Sequence, residues 1–225
     1  MQSNAPGQLL GYAIQFPRAL YHLLKSGPGD AVCVEMLGDV ATTALNGEVI
    51  AEEDKSSIVG NPLTDRSTDL WKTFSNWIKA IKKDDLDVKK TKFILYCNRS
   101  GRLGIVDKFS SAQNQSDAQS AIDYAKAELK DTKKEHDIWE YYNYVVNDNE
   151  ALLLEVVERF ELQIGVGAGY DEVRREIRRL LIPESQVEFF IDKISGWLLK
   201  KISEKLTEKT PAIMRWEEYE RQFKV

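Results

Sequence analysis

An Asn46-Gly47 pair separates two short stretches rich in β-forming residues, 39–45 and 48–55. Asn-Gly between such stretches is the strongest short-range signal for a β-hairpin, because both residues tolerate the positive φ angles of a tight turn. The turn fixes the register of the two strands, and the register decides which side chains share a face of the sheet. The sequence therefore predicts an antiparallel hairpin with two defined faces.

The predicted hairpin carries three charged residues that could act together. Asp39 begins its first strand, and Glu53 and Lys55 lie two positions apart at the end of the second, so they point to one face. Two carboxylates can hold a divalent cation against a phosphate, and an ammonium group can orient the attacking water. This spacing is compatible with phosphodiester hydrolysis. The alternative is a solvated surface pair of Glu53 and Lys55, worth a few tenths of a kcal/mol.

Composition limits the classes of function open to the chain. Its 225 residues allow one large domain or a domain with an extension, and its net charge of −5 argues against a surface that grips nucleic acid throughout. A local basic groove remains open. Cys33 and Cys97 lie in apolar runs and are expected to be buried thiols in neighbouring strands. The sequence shows no zinc-ligand cluster, no charged-then-apolar leader and no apolar run near the ~20 residues that cross a bilayer, so we expect a cytoplasmic protein without a membrane segment.

Hydrophobic periodicity predicts the remaining elements, with helices and strands alternating early and helices dominating later. A helix is expected at 8–25, strands at 31–36 and 91–97, and a helix at 67–83 that Ser67 can cap; residues 103–106 read as a short strand or a loop. Further helices are expected at 113–132, 150–159, 171–181 and 184–206, with an isolated strand at 160–165 and a glycine-rich connection at 165–169. The order predicts an α/β core over residues 1–146 and a helical C-terminal extension over 147–225.

Several short motifs within residues 11–77 match one known family. In chain order they are Gly11-Tyr12-Ala13-Ile14-Gln15, Glu35-Met36-Leu37-Gly38-Asp39-Val40, Glu53-Asp54-Lys55-Ser56, Asn61-Pro62-Leu63 and Leu70-Trp71-Lys72-Thr73-Phe74-Ser75-Asn76-Trp77. In these motifs the chain resembles the double-stranded-DNA endonuclease domain of bacterial antiphage effectors, found in cyclic-oligonucleotide signalling (CBASS), Lamassu-type and three-component ATPase systems. That domain is similar to the PD-(D/E)XK nuclease superfamily, so the resemblance implies a restriction-endonuclease-like mixed sheet flanked by helices.

The resemblance also implies roles for the matching residues. Asp39 would be the main metal ligand and Glu53 the second, joined by the backbone carbonyl that follows Glu53. Lys55 would orient the water and stabilise charge on the phosphate. Glu35 and Gln15 would flank the ion or the water. The chain departs from many relatives at Gly38, where they carry a second acid, and the departure matters if that position supplies the ligand.

What the resemblance implies about function is a metal-dependent DNA endonuclease in antiviral defence, a hydrolase using Mg²⁺, with Mn²⁺ as the substitute ion. The expected partners are double-stranded DNA and an SMC-like ATPase or sensor subunit that restrains the nuclease, with a homo-oligomer forming on activation. The alternative is a catalytically inactive interaction subunit that keeps the nuclease fold. Residues 147–225 are the expected partner-contact region, because the predicted helix at 184–206 carries an apolar face formed by Val187, Phe190, Ile191, Ile194, Trp197 and Leu198.

Two other patterns leave alternatives open. Trp71, Phe74 and Trp77 recur at helical spacing, so they are expected in the core, with a stacking surface for bases as the alternative. Four arginines form one helical face, and they could contact the DNA backbone or pair with Glu172, Glu176 or a partner chain. They are Arg174, Arg175, Arg178 and Arg179.

Overall fold

The structure, a computed structural model, describes residues 5–58, 60–102 and 104–223. Within these residues a six-stranded mixed sheet lies between two layers of helices. The strands are β1 (Ala31–Val34), β2 (Val40–Thr43), β3 (Val49–Lys55), β4 (Thr91–Cys97), β5 (Phe160–Ile164) and β6 (Ile213–Arg215). The helices are α1 (Ala5–Lys25), α2 (Thr68–Lys82), α3 (Ile105–Ser110), α4 (Gln115–Leu129), α5 (Trp139–Tyr142), α6 (Glu150–Val157), α7 (Tyr170–Arg179), α8 (Val187–Thr207) and α9 (Trp216–Phe223). The predicted α/β class with a mixed sheet flanked by helices is confirmed.

The sheet combines an antiparallel half with a parallel half. Its strand order is β5-β4-β3-β2-β1-β6. β6, β1, β2 and β3 pair antiparallel, whereas β3, β4 and β5 pair parallel. The connection from β3 to the parallel β4 runs through α2, which is the long crossover that parallel neighbours require. β3 is therefore the strand at which the two halves of the sheet meet.

The predicted hairpin forms between β2 and β3. Val40 pairs with Glu52 and Thr43 with Val49, and Ala44 donates to the carbonyl of Glu48 at 2.8 Å. Residues 45–47 thus form a three-residue loop in which Gly47 adopts a φ of 82°, the left-handed conformation that such loops need. The predicted faces follow from this register. Ala51 faces the core beneath α2, while Glu52 faces α1.

Each face of the sheet has its own apolar core. On one face, the aromatic residues of α2 pack with β4, β5 and helices α3 to α6. Trp71, Phe74 and Trp77 are buried there, which confirms their expected role in the core. On the other face, α1 packs against α7, α8 and α9 over β1 and β2. The site described below lies where strand ends and helices from both layers meet.

The chain after residue 147 contributes strands to the sheet as well as helices. β5 pairs with β4, and β6 pairs with β1, so this region supplies both outer strands of the same sheet. The prediction of a strand at 160–165 is confirmed, but the expectation that it would be isolated is wrong, because it pairs with β4. A local sequence pattern does not reveal a pairing partner that is distant in the chain. The division into 1–146 and 147–225 stays a prediction.

The apolar face expected to be free for a partner is largely covered within the chain. Val187, Ile191, Ile194 and Leu198 are buried against the α1 layer, and Trp197 packs edge-on against Phe223 of α9. α9 was not predicted, and neither was β6. Both elements lie beyond the last predicted helix, and together they cover surface that sequence alone left exposed.

Other local expectations have mixed outcomes. Residues 105–110 form the helix α3 in place of the expected strand or loop, and Leu103 lies outside the described residues. Cys33 and Cys97 are buried free thiols as expected, but their strands are separated by β2 and β3. No helix in the described part of the chain combines the length and the hydrophobicity needed to cross a membrane.

Candidate functional site

A polar pocket of about 430 Å³ lies at the end of β3, between the β1–β2 turn and α2. We call it the candidate pocket. It is lined by Glu35, Met36, Gly38, Asp39, Glu53, Lys55, Asp69, Lys72, Thr73 and Asn76. The structure therefore brings Asp39, Glu53, Lys55 and Glu35 together in one pocket. Of the five predicted site residues, only Gln15 does not line the pocket, and it is hydrogen-bonded to Glu35 and Asp39, which do.

Asp39 is held from two directions. Its Oδ1 accepts a hydrogen bond from Nε2 of Gln15 at 3.1 Å, and its Oδ2 accepts one from the backbone N–H of Asp54 at 2.7 Å. Gln15 also donates from Nε2 to Oε1 of Glu35 at 2.7 Å. Gln15 is buried on α1, so this helix carries its amide to the end of the sheet. The Asp39 carboxylate is consequently fixed in position, while each of its oxygens keeps a further lone pair.

Glu53 and Lys55 form a pair within the pocket. Nζ of Lys55 lies 2.9 Å from Oε2 of Glu53, and the two side chains are mostly shielded, with 18% and 12% of their surfaces exposed. This pair differs from the solvated surface pair that was the alternative prediction, because neither partner stands free in water. Oε1 of Glu53 accepts no hydrogen bond within the described residues, and Glu53 lines the pocket.

The turn between β1 and β2 shapes one wall of the pocket. β1 ends at Val34, two residues before its predicted end, and Glu35 takes a φ of 58° in the left-handed region. The backbone N–H of Glu35 donates to the carbonyl of Asp39 at 3.0 Å. Gly38 has a φ of 129°, and a Cβ there would lie 2.8 Å from the carbonyl oxygen of Glu52. Backbone in this conformation costs energy in residues other than glycine, so the turn depends on Gly38.

The second wall of the pocket was not predicted to contribute. Asp69, Lys72, Thr73 and Asn76 come from α2, whose buried face carries the aromatic residues of the core. Sequence reasoning assigned this helix to packing and left its polar face unused. The signal was present in the polar residues at three- and four-residue steps between the buried ones. Only the position of α2 against the end of β3 reveals where that face points.

Burial and neighbouring charge set the electrostatics of the pocket. Burial raises the pKa of Asp39 to about 6, and the negative charges of Glu53 and Glu35 add to the rise while Lys55 and the Asp54 amide oppose it. For Lys55, burial acts to lower the pKa, but the charges of Glu53 and Asp39 outweigh it and raise the pKa above its ordinary value. The pocket therefore carries a surplus of negative charge that a bound cation would relieve.

The donors in the pocket fit a hard divalent cation. Asp39 and Glu53 offer carboxylate oxygens, the ligands that Mg²⁺ and Mn²⁺ prefer. Within the described residues no cluster of three or more His, Cys, Asp or Glu side chains is arranged to hold a metal ion. That finding is compatible with Mg²⁺, which is commonly bound through one or two carboxylates and completes its shell with water and substrate oxygens. Asp39 and Glu53 are the residues that could hold it.

A second set of charges lies on the opposite face of β3. Arg18 and His22 of α1 both contact Glu52, which is completely buried. Asp54 is also buried on this face, and burial, together with the charge of Glu52, raises its pKa well above the ordinary value. Residues 52 and 54 thus face α1, while Glu53 and Lys55 face the candidate pocket. The alternation of β3 separates the buried ion pair from the pocket by the thickness of one strand.

The arginine face of α7 is neutralised within the chain. Arg174 pairs with Asp171 and Glu188, and Arg178 pairs with Glu184. Arg175 and Arg179 pair with Glu172 and Glu176. Of the two alternatives for these residues, pairing within the chain is the one that the structure contains.

The fold and the pocket together define an α/β protein with a carboxylate-and-lysine site at the end of a central strand. Comparison with known proteins adds no family to this description. No protein-family model matches the chain, and a search of curated proteins returns no match.

Proposed function

We propose that the chain is a metal-dependent DNA endonuclease that hydrolyses backbone phosphodiesters with little sequence specificity. The observation that carries the proposal is the convergence of Asp39, Glu53 and Lys55 in one polar pocket. Asp39 is the last residue of the β1–β2 turn, one position before the observed start of β2, and Glu53 comes from β3. Their position in one pocket follows from the hairpin register and this turn. Two carboxylates that can bind a divalent cation, with an ammonium group beside them, are suited to metal-assisted hydrolysis of a phosphodiester.

Each residue would have a distinct part in the reaction. A divalent cation bound by Asp39 and Glu53 would supply Lewis-acid stabilisation of the phosphate. Lys55 would hold the attacking water in line and donate to the developing charge on phosphate oxygen. Gln15 would keep the Asp39 carboxylate oriented, since its amide binds one oxygen of that group. Glu35, which shares Gln15 as a donor, would accept a hydrogen bond from water at the rim of the pocket.

The arrangement of strands and helices also supports the proposal. A mixed sheet with an antiparallel hairpin followed by a parallel strand, flanked by helices on both faces, is compatible with a restriction-endonuclease-like fold. Asp39, just before the first hairpin strand, and Glu53 and Lys55, at the end of the second, would form the catalytic site of such a fold. The motifs that carry the resemblance of residues 11–77 to the antiphage nuclease domain include Asp39, Glu53 and Lys55.

We further propose the cellular setting that this resemblance implies. The protein would act in the cytoplasm as an antiviral effector on double-stranded DNA. An unregulated nuclease would damage the DNA of its own cell, so a partner such as an SMC-like ATPase or a sensor subunit would restrain it. Activation would accompany assembly, including formation of a homo-oligomer.

The test is cleavage of supercoiled plasmid by the purified protein, alone and with its partners. We expect nicking in Mg²⁺ or Mn²⁺, none in EDTA, and a loss of at least about 100-fold in Lys55→Ala. Lys83→Ala, which removes an exposed lysine outside the pocket, is the matched control and should cut like the wild type. Nicking that persists in EDTA, or that is unchanged in Lys55→Ala, would falsify the proposal.

A catalytically inactive interaction subunit is the second candidate. The specific observation in its favour is the pairing of all four arginines of α7 with acids of the same chain, which offsets the positive charge of that face. The net charge of −5 points the same way. The plasmid assay separates the two candidates, because an inactive subunit gives no metal-dependent cleavage in any assembly.

A further inference from the structure

We propose that α2 is the phosphate-binding wall of the candidate pocket, with Lys72 and Asn76 contacting the DNA backbone beside the phosphate that is cut. The inference rests on the proposed nuclease function and adds to it the residues that hold the substrate. Lys72 and Asn76 are four positions apart on α2, so they stand one above the other on the same face of the helix. Both line the candidate pocket.

Charge gives the first argument. Four acids line the pocket, namely Glu35, Asp39, Glu53 and Asp69, against two lysines, Lys55 and Lys72. Lys55 is already paired with Glu53 at 2.9 Å. The side chain of Lys72 is exposed and makes no ion pair or hydrogen bond with any part of the chain that the structure describes. Lys72 is thus the available cation in a pocket that otherwise repels a phosphodiester.

Rigidity gives the second argument. Trp71, Phe74 and Trp77 alternate with the pocket-lining residues along α2 and are 2% exposed or less. Trp71 also donates from its ring N–H to the carbonyl of Asp65 at 2.8 Å, just before the helix begins. The helix is therefore fixed on one side, and the polar side is presented in a constant position. A site on such an element keeps its geometry better than a site on a loop.

An unsatisfied hydroxyl gives the third argument. Thr73 lies between Lys72 and Asn76 in the pocket wall and is 1% exposed. Its Oγ1 is buried and has no hydrogen-bond partner within the described structure. Buried hydroxyl groups nearly always have a hydrogen-bond partner, so the Thr73 hydroxyl retains the capacity to form one. A ligand bound along this wall would bring such a partner.

The lining of the pocket also indicates which part of the DNA it takes. None of the described residues that line the pocket is aromatic. Proteins that hold single strands stack bases on aromatic rings, whereas backbone contact needs only cations and amides. Lys72 supplies a cation and Asn76 supplies an amide. The wall is therefore suited to a sugar–phosphate backbone and not to an unpaired base.

The experiment measures binding separately from cleavage. Fluorescence anisotropy with a short labelled duplex is recorded at several salt concentrations, with Ca²⁺ in place of Mg²⁺. For Lys72→Ala we expect binding weaker by roughly five- to ten-fold at about 0.1 M salt, and a log–log salt slope smaller by about one. Lys72→Arg should retain the wild-type slope. Asn76→Asp, which adds a negative charge, should weaken binding more than Asn76→Ala.

Lys83→Ala is the matched control. It removes the same charge from the residue that follows the last turn of α2, about 16 Å from Lys72 along the helix axis, and Lys83 does not line the pocket. Equal losses in Lys72→Ala and Lys83→Ala, or an unchanged slope in Lys72→Ala, would overturn the inference. Absence of any binding by the wild type would overturn it too.

The outcomes also separate this inference from the nuclease proposal. If the wild type binds DNA through Lys72 but does not cut in Mg²⁺, the nuclease function fails and the binding wall stands. If the wild type cuts plasmid and Lys72→Ala binds and cuts equally well, the binding wall fails and the nuclease function stands.

Discussion

Arg18 of α1 and Glu52 of β3 form a two-pronged ion pair in the interior. Nε of Arg18 donates to Oε1 of Glu52 at 2.6 Å, and Nη2 donates to Oε2 at 2.7 Å. Both side chains are fully buried. Gln15 lies one turn before Arg18, and Glu53 follows Glu52 directly. The pair therefore joins the two elements that carry Gln15 and Glu53 to the candidate pocket.

The first prediction concerns this pair. Arg18→Met should lower the free energy of unfolding by roughly 3–5 kcal/mol, because it leaves the Glu52 charge buried with His22 as its remaining partner. The double variant Arg18→Met/Glu52→Leu should recover much of that loss, since the Glu52 carboxylate is no longer left without Arg18. Urea unfolding followed by circular dichroism measures both. A double variant no more stable than Arg18→Met would show that the charge is not the cause.

The second prediction concerns pH. Because the pKa of Asp39 is raised to about 6 in the folded protein, its contribution to stability is fully present below about pH 4 and is lost as pH rises through 6. In EDTA, the wild type should therefore lose on the order of 2 kcal/mol relative to Asp39→Asn between pH 4 and pH 7.5. Parallel pH profiles for the two proteins would contradict this. Added Mg²⁺ should restore the wild type selectively.

The third prediction concerns Gly38. Gly38→Ala should destabilise the protein by about 1–3 kcal/mol, because the residue has a φ of 129° and a Cβ would press on the carbonyl of Glu52. Gly196→Ala is the control. Gly196 lies within α8 with open space around it, so alanine there should stabilise by about 0.5–1 kcal/mol. Thermal unfolding compares the two, and equal effects would show that the turn does not need glycine.

The fourth prediction concerns Gln15. Gln15→Leu keeps the approximate shape of the side chain but removes the amide that holds Asp39 and Glu35. Cleavage of plasmid should fall by roughly 10- to 100-fold, as expected when the group that orients a ligand is lost. The apparent affinity for Mg²⁺ should fall as well. Leu20→Met, a core substitution in the same helix, is the control and should leave both quantities unchanged.

Local signals predicted the parts of the fold that depend on neighbours in sequence. The Asn46-Gly47 turn and the period of β3 were enough to place Glu53 and Lys55 on one face, and the helical spacing of Trp71, Phe74 and Trp77 was enough to place α2 on a core. The partners of β5 and β6 were not predictable in this way, because their pairing depends on residues more than 60 positions away.

The residues of the candidate site were also predictable only where local sequence patterns identify them. Asp39, Glu53 and Lys55 could be chosen from spacing and residue type. The α2 wall could not, since the polar side of an amphipathic helix usually faces solvent and only the packing of α2 directs it to a pocket. The burial of Glu52 could not be predicted either. Glu52, Glu53 and Asp54 are three successive acids, and the sequence does not show which of them pairs with Arg18.

The outer strands of the sheet have a consequence for biosynthesis. The segments that form β1 to β4 have all been synthesised once the ribosome reaches residue 97. The edge of β4 stays unpaired until residues 160–164 are made, and the edge of β1 stays unpaired until residues 213–215 are made. Unpaired strand edges recruit strands from other molecules. During synthesis, all candidate catalytic residues are therefore present well before the two edge strands are added to the sheet. We expect the nascent chain to depend on chaperones during that interval to avoid aggregation.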